Sequence, residues 1–388
     1  MSQRTRRQFL QHALAGFTAL GTGSLWSTAI IGGTGEKSFA LGPPDDNGVR
    51  LPDGFRCRIV ARSSQPVVAH SEYRWHAAPD GGACYSRPDG GWIYVSNSEM
   101  KRGGGAGVIV FDPAGNVIDA YAILEGTRNN CAGGATPWGT WLSCEEVSDG
   151  QVWECYPEGG KRAVLRPALG TFKHEAVAVD TVNHHLYLTE DVEDSCLYRF
   201  IPASVNEQRY DLSQGTLQVA RISNKAGEHA VAIEWVDLPD ASASELPTRY
   251  QVRGAATFIG GEGIAYHDGK VFFTTKGDNR VWRYDTAGSA LDVVYDAADY
   301  LSPVLTGVDN VTVSGDGEVL VAEDGGDLQI VALDASGGLR PLMQLVGHEQ
   351  SEETGPAFSP DGRRLYFSSQ RGVHGRSEAG ITYEVTGF

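Results

Sequence analysis

Acidic side chains that end apolar runs recur along the chain at a nearly constant interval: Glu99 in VSNSE, Glu145 in LSCEE, Glu190 in LTED and Glu323 in VAED. Lys276 in FTTK and Gln370 in FSSQ close the same kind of run with a different polar group. From Glu99 through Glu145, Glu190, Lys276 and Glu323 to Gln370 the intervals are 46, 45, 86, 47 and 47 residues. A second polar series runs about 14 residues ahead of the first: Cys131, Glu175, Glu262, Asn310 beside Asp309, and Thr354. If the units that carry these positions close on themselves, one ring collects Glu99, Cys131, Glu145, Glu175, Glu190, Glu262, Asp309 and Glu323. Carboxylates a few ångströms apart raise one another's pKa, so such a ring cannot stay ionised without cations, and metal ions are the natural counter-charge. Cys131 is read in two ways, as a thiolate ligand softer than calcium requires or as a buried free thiol. Lys276 stands in an acid's place, where it would bind an anionic group or form a salt bridge to a neighbouring Glu.

The elements that must position these residues are short strands. Between the two series lie turns rich in Gly, Asp and Asn, as in HDGK (267–270), SGDGE (314–318) and SPDGRR (359–364), which is hairpin chemistry. After the marker comes a further strand with aromatic alternation, such as CLYRF (196–200) or RVWRYD (280–285). A strand, turn, strand, loop, strand unit at this period is a propeller blade, and six markers predict an all-β, six-bladed β-propeller filling residues 41–388 as a single domain. The interval of 86 predicts an inter-blade insertion at about 203–250, with strands in TLQVARI and AVAIEWVDL and a short helix near ASELPTRYQ.

Composition narrows the chemistry. Of 388 residues, 49 are Gly and 17 Pro, which suits many tight turns. A formal charge of −17 excludes nucleic acid and anionic membrane surfaces as partners. No GxSxG and no HExxH occurs, so serine-hydrolase and zincin chemistry lack their motifs. The loop KRGGGAG (101–107) lacks the phosphate-loop pattern and is read as a hairpin loop. His174 beside Glu175 is read as a donor supporting a metal ligand, as a base, or as a satisfied polar residue opening a strand. Residues 1–40 read as a twin-arginine signal, with Arg6 and Arg7 in TRRQFL, an uncharged stretch 13–31 and a cleavage site near Ala40. That stretch is diluted by Gly, Thr and Ser, so no stable membrane anchor is expected. The expected address is periplasmic or secreted, with the twin-arginine export machinery as partner. In that setting the six cysteines predict disulfides, with Cys144–Cys155 and Cys57–Cys84 as candidate pairs.

The run NNCAGGATPWGTWLSCEE (129–146), followed by FKHEAVAVD, LYLTEDVEDSCLYRF, GGEGIAY, TTKGDNRVWRYD, VDNVTVS and FSPDGRRLYF, closely resembles the PhoX family of alkaline phosphatases, over nearly the whole chain after the signal. The resemblance implies a six-bladed propeller and a calcium-dependent phosphomonoesterase built on an iron and calcium cluster (Fe3+ and Ca2+), acting on small phosphate esters. By position, Cys131 matches the family's cysteine ligand of iron. Glu175, Glu262 and Asp309 match its acids at strand openings, and Glu99, Glu145 and Glu190 those at strand ends. Lys276 and Arg128 would assist at the anion. The chain is a short member, and Gly260 stands two residues before Glu262, where the family often carries an Arg. Two other readings remain: a calcium-dependent propeller that opens lactones, and a metal-stabilised binding scaffold without catalysis.

Overall fold

The fold is seen in a computed structural model that describes residues 40–388 apart from 70, 207–208 and 227–229. The signal expected over residues 1–40 lies outside the described residues except for Ala40. Asp-Gly turns and alternating apolar residues convert the chain into antiparallel meanders. In HDGK, Asp268 and Gly269 take φ of 43° and 75°, the two positive values that a type I′ hairpin requires. Strands Gly261–His267 and Lys270–Thr275 pair across that turn.

Among the described residues the strands form three four-stranded sheets, one five-stranded sheet, one nine-stranded sheet and a two-stranded ribbon. Helical structure there is confined to single 3-10 turns, one of them at Thr248–Tyr250 within the ASELPTRYQ segment. No described helix is long and apolar enough to cross a membrane. The architecture is all-β and propeller-like. Six strands, Pro79–Ser86, Asn130–Ala135, His174–Asp180, Gly261–His267, Val308–Val313 and Glu353–Phe358, line one central cavity of about 310 Å³. The nine-stranded sheet supplies two of these inner strands, one from each of its edges.

Two strands from residues 215–237, within the segment read as an insertion, make that sheet large. Gly215–Lys225 adds to Leu197–Pro202, while Ala230–Asp237 pairs with Gly215–Lys225 on one side and with Ala290–Asp296 on the other. The segment therefore bridges two meanders through backbone hydrogen bonds. The chain ends are used in the same way. Arg56–Arg62 pairs with the last strand, Ile381–Thr386, and Val49–Arg50 pairs with Gln344 and Leu345. Strands recruited to outer edges in this way leave fewer open backbone groups for wrong pairing.

The apolar core lies between neighbouring sheets. Trp92, Tyr94, Phe111 and Tyr366 fill the seam between the first and last sheets, with Tyr94 and Tyr366 stacked at 4.9 Å between ring centroids. Such a pair adds about 0.5–1.5 kcal/mol beyond its area burial. The cysteines belong to these seams rather than to disulfides, since all six are unpaired. Cys144 packs with Leu142 and Val177, and Cys155 with Trp141 and Val108, on opposite faces of one sheet. Side chains on opposite faces of a pleat cannot be bridged without moving the backbone, which rules out the expected Cys144–Cys155 pair. Cys57 and Cys84 lie against different clusters and are likewise separate.

Candidate metal centre

Every inner strand departs from regular pairing at its first residues. Pro79 pairs with Ser98 but Gly82 with Ser96, so Asp80 and Gly81 face the single residue Asn97. The same two-against-one count recurs at Cys131–Ala132, Glu175–Ala176, Glu262–Gly263 and Asp309–Asn310. In the last inner strand the irregularity falls between Thr354 and Ala357. A bulge bends its strand and re-aims a side chain. Repeated around the channel mouth, it brings Asp80, Cys131, Glu175, Glu262 and Asp309 to equivalent places, with Thr354 in the sixth. The residues that follow the paired ends of the second strands form a companion tier: Glu99, Glu146, Asp191, Lys276, Asp324 and Gln370.

Small residues let these bulges approach one another. A Cβ on Gly81 would sit 2.5 Å from the Cα of Ala132, and one on Gly263 would sit 2.5 Å from the backbone nitrogen of Val311. The neighbouring strands are tied by side chains instead of a ladder. Asn97 Nδ2 donates to the carbonyls of Cys131 and Ala132 at 3.0 and 2.8 Å. The Thr189 and Thr274 hydroxyls donate to the carbonyls of Glu262 and Asp309, each at 2.5 Å. These bonds fix the backbone directly behind the reactive side chains.

Three overlapping trios have ligand atoms within 4.8 Å of one another: Cys131, Glu146 and Glu175; Glu175, Glu262 and Asp309; Asp309, Asp324 and Glu352. Cys131 Sγ lies 3.2 Å from Glu175 Oε1 and 3.7 Å from Asp80 Oδ2. Gln370 Nε2 donates to Asp80 Oδ2 at 2.6 Å and to Glu99 Oε2 at 2.9 Å. Lys276 Nζ sits 3.0 Å from Asp309 and 3.7 Å from Glu262, and also contacts Asp324. Lys173 bridges Glu146, at 2.8 Å, and Asp191. Arg371 lies 2.9 Å from Glu352 and 3.9 Å from Glu99.

Nine acids, Asp80, Glu99, Glu146, Glu175, Asp191, Glu262, Asp309, Asp324 and Glu352, thus share three side-chain cations, Lys173, Lys276 and Arg371. The imbalance shows in the titration of the cluster. Burial, reinforced by neighbouring carboxylates, pushes Asp80, Glu175, Glu262 and Glu352 well above the usual carboxylate range and raises Asp309. Glu146 is pushed up to about 9 by burial and Glu99, against the pull of Lys173. The Cys131 thiol is raised by burial, Asp80 and Glu175. Burial opposes the charge on Lys276, but Asp309, Glu262 and Asp324 outweigh it and raise its pKa. Glu175 Oε2 is buried with no hydrogen-bond partner. Crowded hard oxygens, one orphaned acceptor and an adjacent thiol are the donor set that cations fit, with Cys131 favouring a softer ion than the all-oxygen trios.

The structure brings six of the sequence-derived candidates together: Glu99, Cys131, Glu175, Glu262, Lys276 and Asp309. It does not bring Glu145, Glu190 or Glu323 to the mouth. Each lies one residue before the channel-facing acid, and its carboxylate pins local structure instead. Glu145 accepts from the Arg128 N–H at 3.1 Å. Glu190 accepts from the Tyr198 hydroxyl at 2.8 Å and Arg249 at 2.9 Å. Glu323 accepts from the N–H groups of Thr306 and Gln329 at 2.6 and 3.0 Å. Arg128 pairs with Asp149 at 3.1 Å on an exposed loop. His174 is a structural residue, bonded to the Gly170 carbonyl at 3.0 Å, stacked on Phe172 and held below its usual pKa at about 4 by burial.

Sequence reasoning missed Asp80, Glu146, Asp191, Asp324 and Glu352. For three of them the signal was present as a tandem acid, Glu145-Glu146, Glu190-Asp191 and Glu323-Asp324, whose parity the unbroken period left undecided. Glu146→Gln and Glu145→Gln therefore make a matched pair. Equilibrium dialysis with iron should find that the first binds less metal than wild type. The second should keep its metal and lose about 1 kcal/mol of stability, the worth of one hydrogen bond. Equal metal loss in both would undo the register described above.

The alkaline phosphatase PhoX family model matches residues 85–162 and 152–372. Among solved structures, the fold is similar to Pseudomonas fluorescens PhoX in complex with vanadate, a transition state analogue, with a TM-score of 0.74 and 18% identity over 89% of this chain and 97% of that one. It is also similar to a protein of unknown function from Bacteroides thetaiotaomicron, with a TM-score of 0.53 and 9% identity over 89% of this chain and 83% of that one. A gluconolactonase from Xanthomonas campestris has a TM-score of 0.50 and 10% identity over 89% and 97% of the two chains. No curated protein sequence matches. With a family match running through five of the six inner strands and all of their channel-facing acids but Asp80, the chain belongs to the PhoX family of alkaline phosphatases and is a phosphatase.

Proposed function

We propose that this chain hydrolyses phosphate monoesters at a calcium and iron cluster held in the mouth of a six-bladed propeller, after export by the twin-arginine route to the periplasm or beyond. The observation that carries the reading is the set of three overlapping ligand trios at one end of the channel. Six blades follow from counting the nine-stranded sheet as two blades fused by Ala230–Asp237, and the segment 203–250 as an elaboration between them. Cys131 with Glu146 and Glu175 would hold iron, and the two trios that share Asp309 would hold calcium. Cations bound there would neutralise the phosphate oxygens and lower the pKa of an attacking water.

The chain's own cations do the positioning. Lys276, Lys173 and Arg371 are held by acids that bound metal would claim, and their donors would then be free for the oxygens of the ester. They also cover for Gly260, which stands where the family often has an Arg. Gly260 has a φ of +67°, and a Cβ there would meet Asp191 Oδ1 at 3.4 Å. Arg at that position would need the left-handed backbone that glycine tolerates. Pseudomonas fluorescens PhoX binds vanadate, a transition state analogue, and we carry that capacity to this site.

The test offers metal-replete protein a phosphomonoester, a phosphodiester and a lactone in parallel. Turnover of the monoester is expected, lost on chelation and restored by calcium. Turnover of the lactone alone would replace this reading with the lactonase one, and turnover of none would leave a binding scaffold.

A further inference from the structure

Beside the acid tier lies a second cavity, of about 460 Å³, within the size range of small-ligand sites. Its lining includes Glu99, Lys101, Arg102, Asn129, Arg371 and Ser377. It shares Glu99 and Arg371 with the cluster, so one ligand can reach both. The loop that carries Lys101 and Arg102 is the glycine-rich KRGGGAG hairpin, turned at Gly103, where φ is 74°. Its base is fixed to the next sheet by the Asn129 N–H, which donates to the Met100 carbonyl at 2.8 Å.

Lys101 and Arg102 differ from the other cations at the mouth. Lys173, Lys276 and Arg371 are each engaged by ring acids. Lys101 and Arg102 are exposed, and neither side chain has a hydrogen bond or ion pair among the described residues. They set two unpaired positive charges in a lining whose one carboxylate, Glu99, already faces Arg371 at 3.9 Å, on a chain whose formal charge is −17. Unengaged cations lining a cavity in an otherwise acidic body form a local sink for anions. The guanidinium groups offer the planar fork that matches a carboxylate or a phosphate.

We propose that this cavity is a leaving-group subsite that selects esters carrying a second anionic group. The inference rests on the phosphomonoesterase reading for the identity of the reacting end, and names what the other end must carry. Two non-hydrolysable probes test it without turnover: phenylphosphonate and 4-carboxyphenylphosphonate, titrated calorimetrically into the metal-loaded protein. Wild type should bind the carboxylated probe roughly five- to tenfold more tightly, as expected for a second anion meeting partly exposed cations. The preference should shrink as salt is raised, because exposed charges are screened. In the double variant Lys101→Ala/Arg102→Ala the ratio should fall close to one, and an unchanged melting temperature would show that the fold is intact. Equal binding of the two probes by wild type, a preference that survives the double variant, or no binding of either probe would each overturn the proposal. A preference without turnover of any ester would instead overturn the phosphatase chemistry and leave the subsite standing. Turnover without a preference would do the reverse.

Discussion

Chelating the cations should lower the melting temperature on the order of 10 °C, and the loss should grow as pH rises from about 5 to 9. Each site occupied at a hundredfold excess over its dissociation constant adds about 2.7 kcal/mol, and two such sites in a chain of this size give a shift of that order. The pH trend follows from the stripped cluster. Glu146 has a folded pKa raised from 4.5 to about 9. A group shifted upward contributes stability that is fully present below its unfolded value and is lost as pH climbs through the folded one. Asp80, Glu175, Glu262, Asp309 and Glu352 are shifted in the same direction by burial and by one another. The stripped protein should therefore be most stable near pH 5 and weaken toward pH 9. The loaded protein should not follow it, because bound cations offset the repulsion among ionised carboxylates. Calorimetric scans across that range, with and without chelator, read the difference directly. A stripped protein that grows more stable from pH 5 to 9 would contradict the crowded-acid account.

Glu175→Gln should remove phosphatase activity on the order of 10² to 10³-fold, the scale on which removal of one transition-state stabilising group acts. Glu175 is the residue common to the cysteine trio and the central carboxylate trio, so its loss disturbs both. The same substitution should help the stripped protein. Gln cannot ionise, so the penalty that burial and Glu262 impose on the Glu175 carboxylate disappears. At pH 9 and without metal, Glu175→Gln should melt above wild type; with metal, it should melt below. This crossing separates a ligand from a merely structural acid. Glu190→Gln, whose carboxylate is bonded to Tyr198 and Arg249, should lose stability in both states. A Glu175→Gln protein that keeps its metal and its rate would remove Glu175 from the site.

Much of the architecture was legible because it is periodic. The interval near 46 residues, the Asp-Gly turns and the aromatic third strands each report a local event, and local events are written in adjacent residues. Cys131, Glu175, Glu262 and Asp309 were legible for the same reason: each opens a strand at a fixed place in its unit, and the structure collects all four at the channel mouth. Other features depend on contacts made far away in the chain. The bridging role of Ala230–Asp237 depends on Ala290–Asp296, about 60 residues later. The separation of Cys144 from Cys155 depends on which seam each face of their sheet fills. Asp80 stands 19 residues before Glu99, outside the spacing shared by the other units, and only closure of the ring places it beside Gln370.

The choice between consecutive acids shows the division most sharply. By itself the sequence determined that an acid would stand at the end of the second strand in Glu145-Glu146, Glu190-Asp191 and Glu323-Asp324. Only the tertiary structure decided that Glu146, Asp191 and Asp324 face the channel, while their neighbours bind backbone and side chains behind it. The physical reason is parity. Side chains alternate across a pleat, so a shift of one residue exchanges the two faces. The bulges that set the register form where inner strands converge closely enough to exclude a Cβ at Gly81 and Gly263, a condition that exists only once the ring has closed.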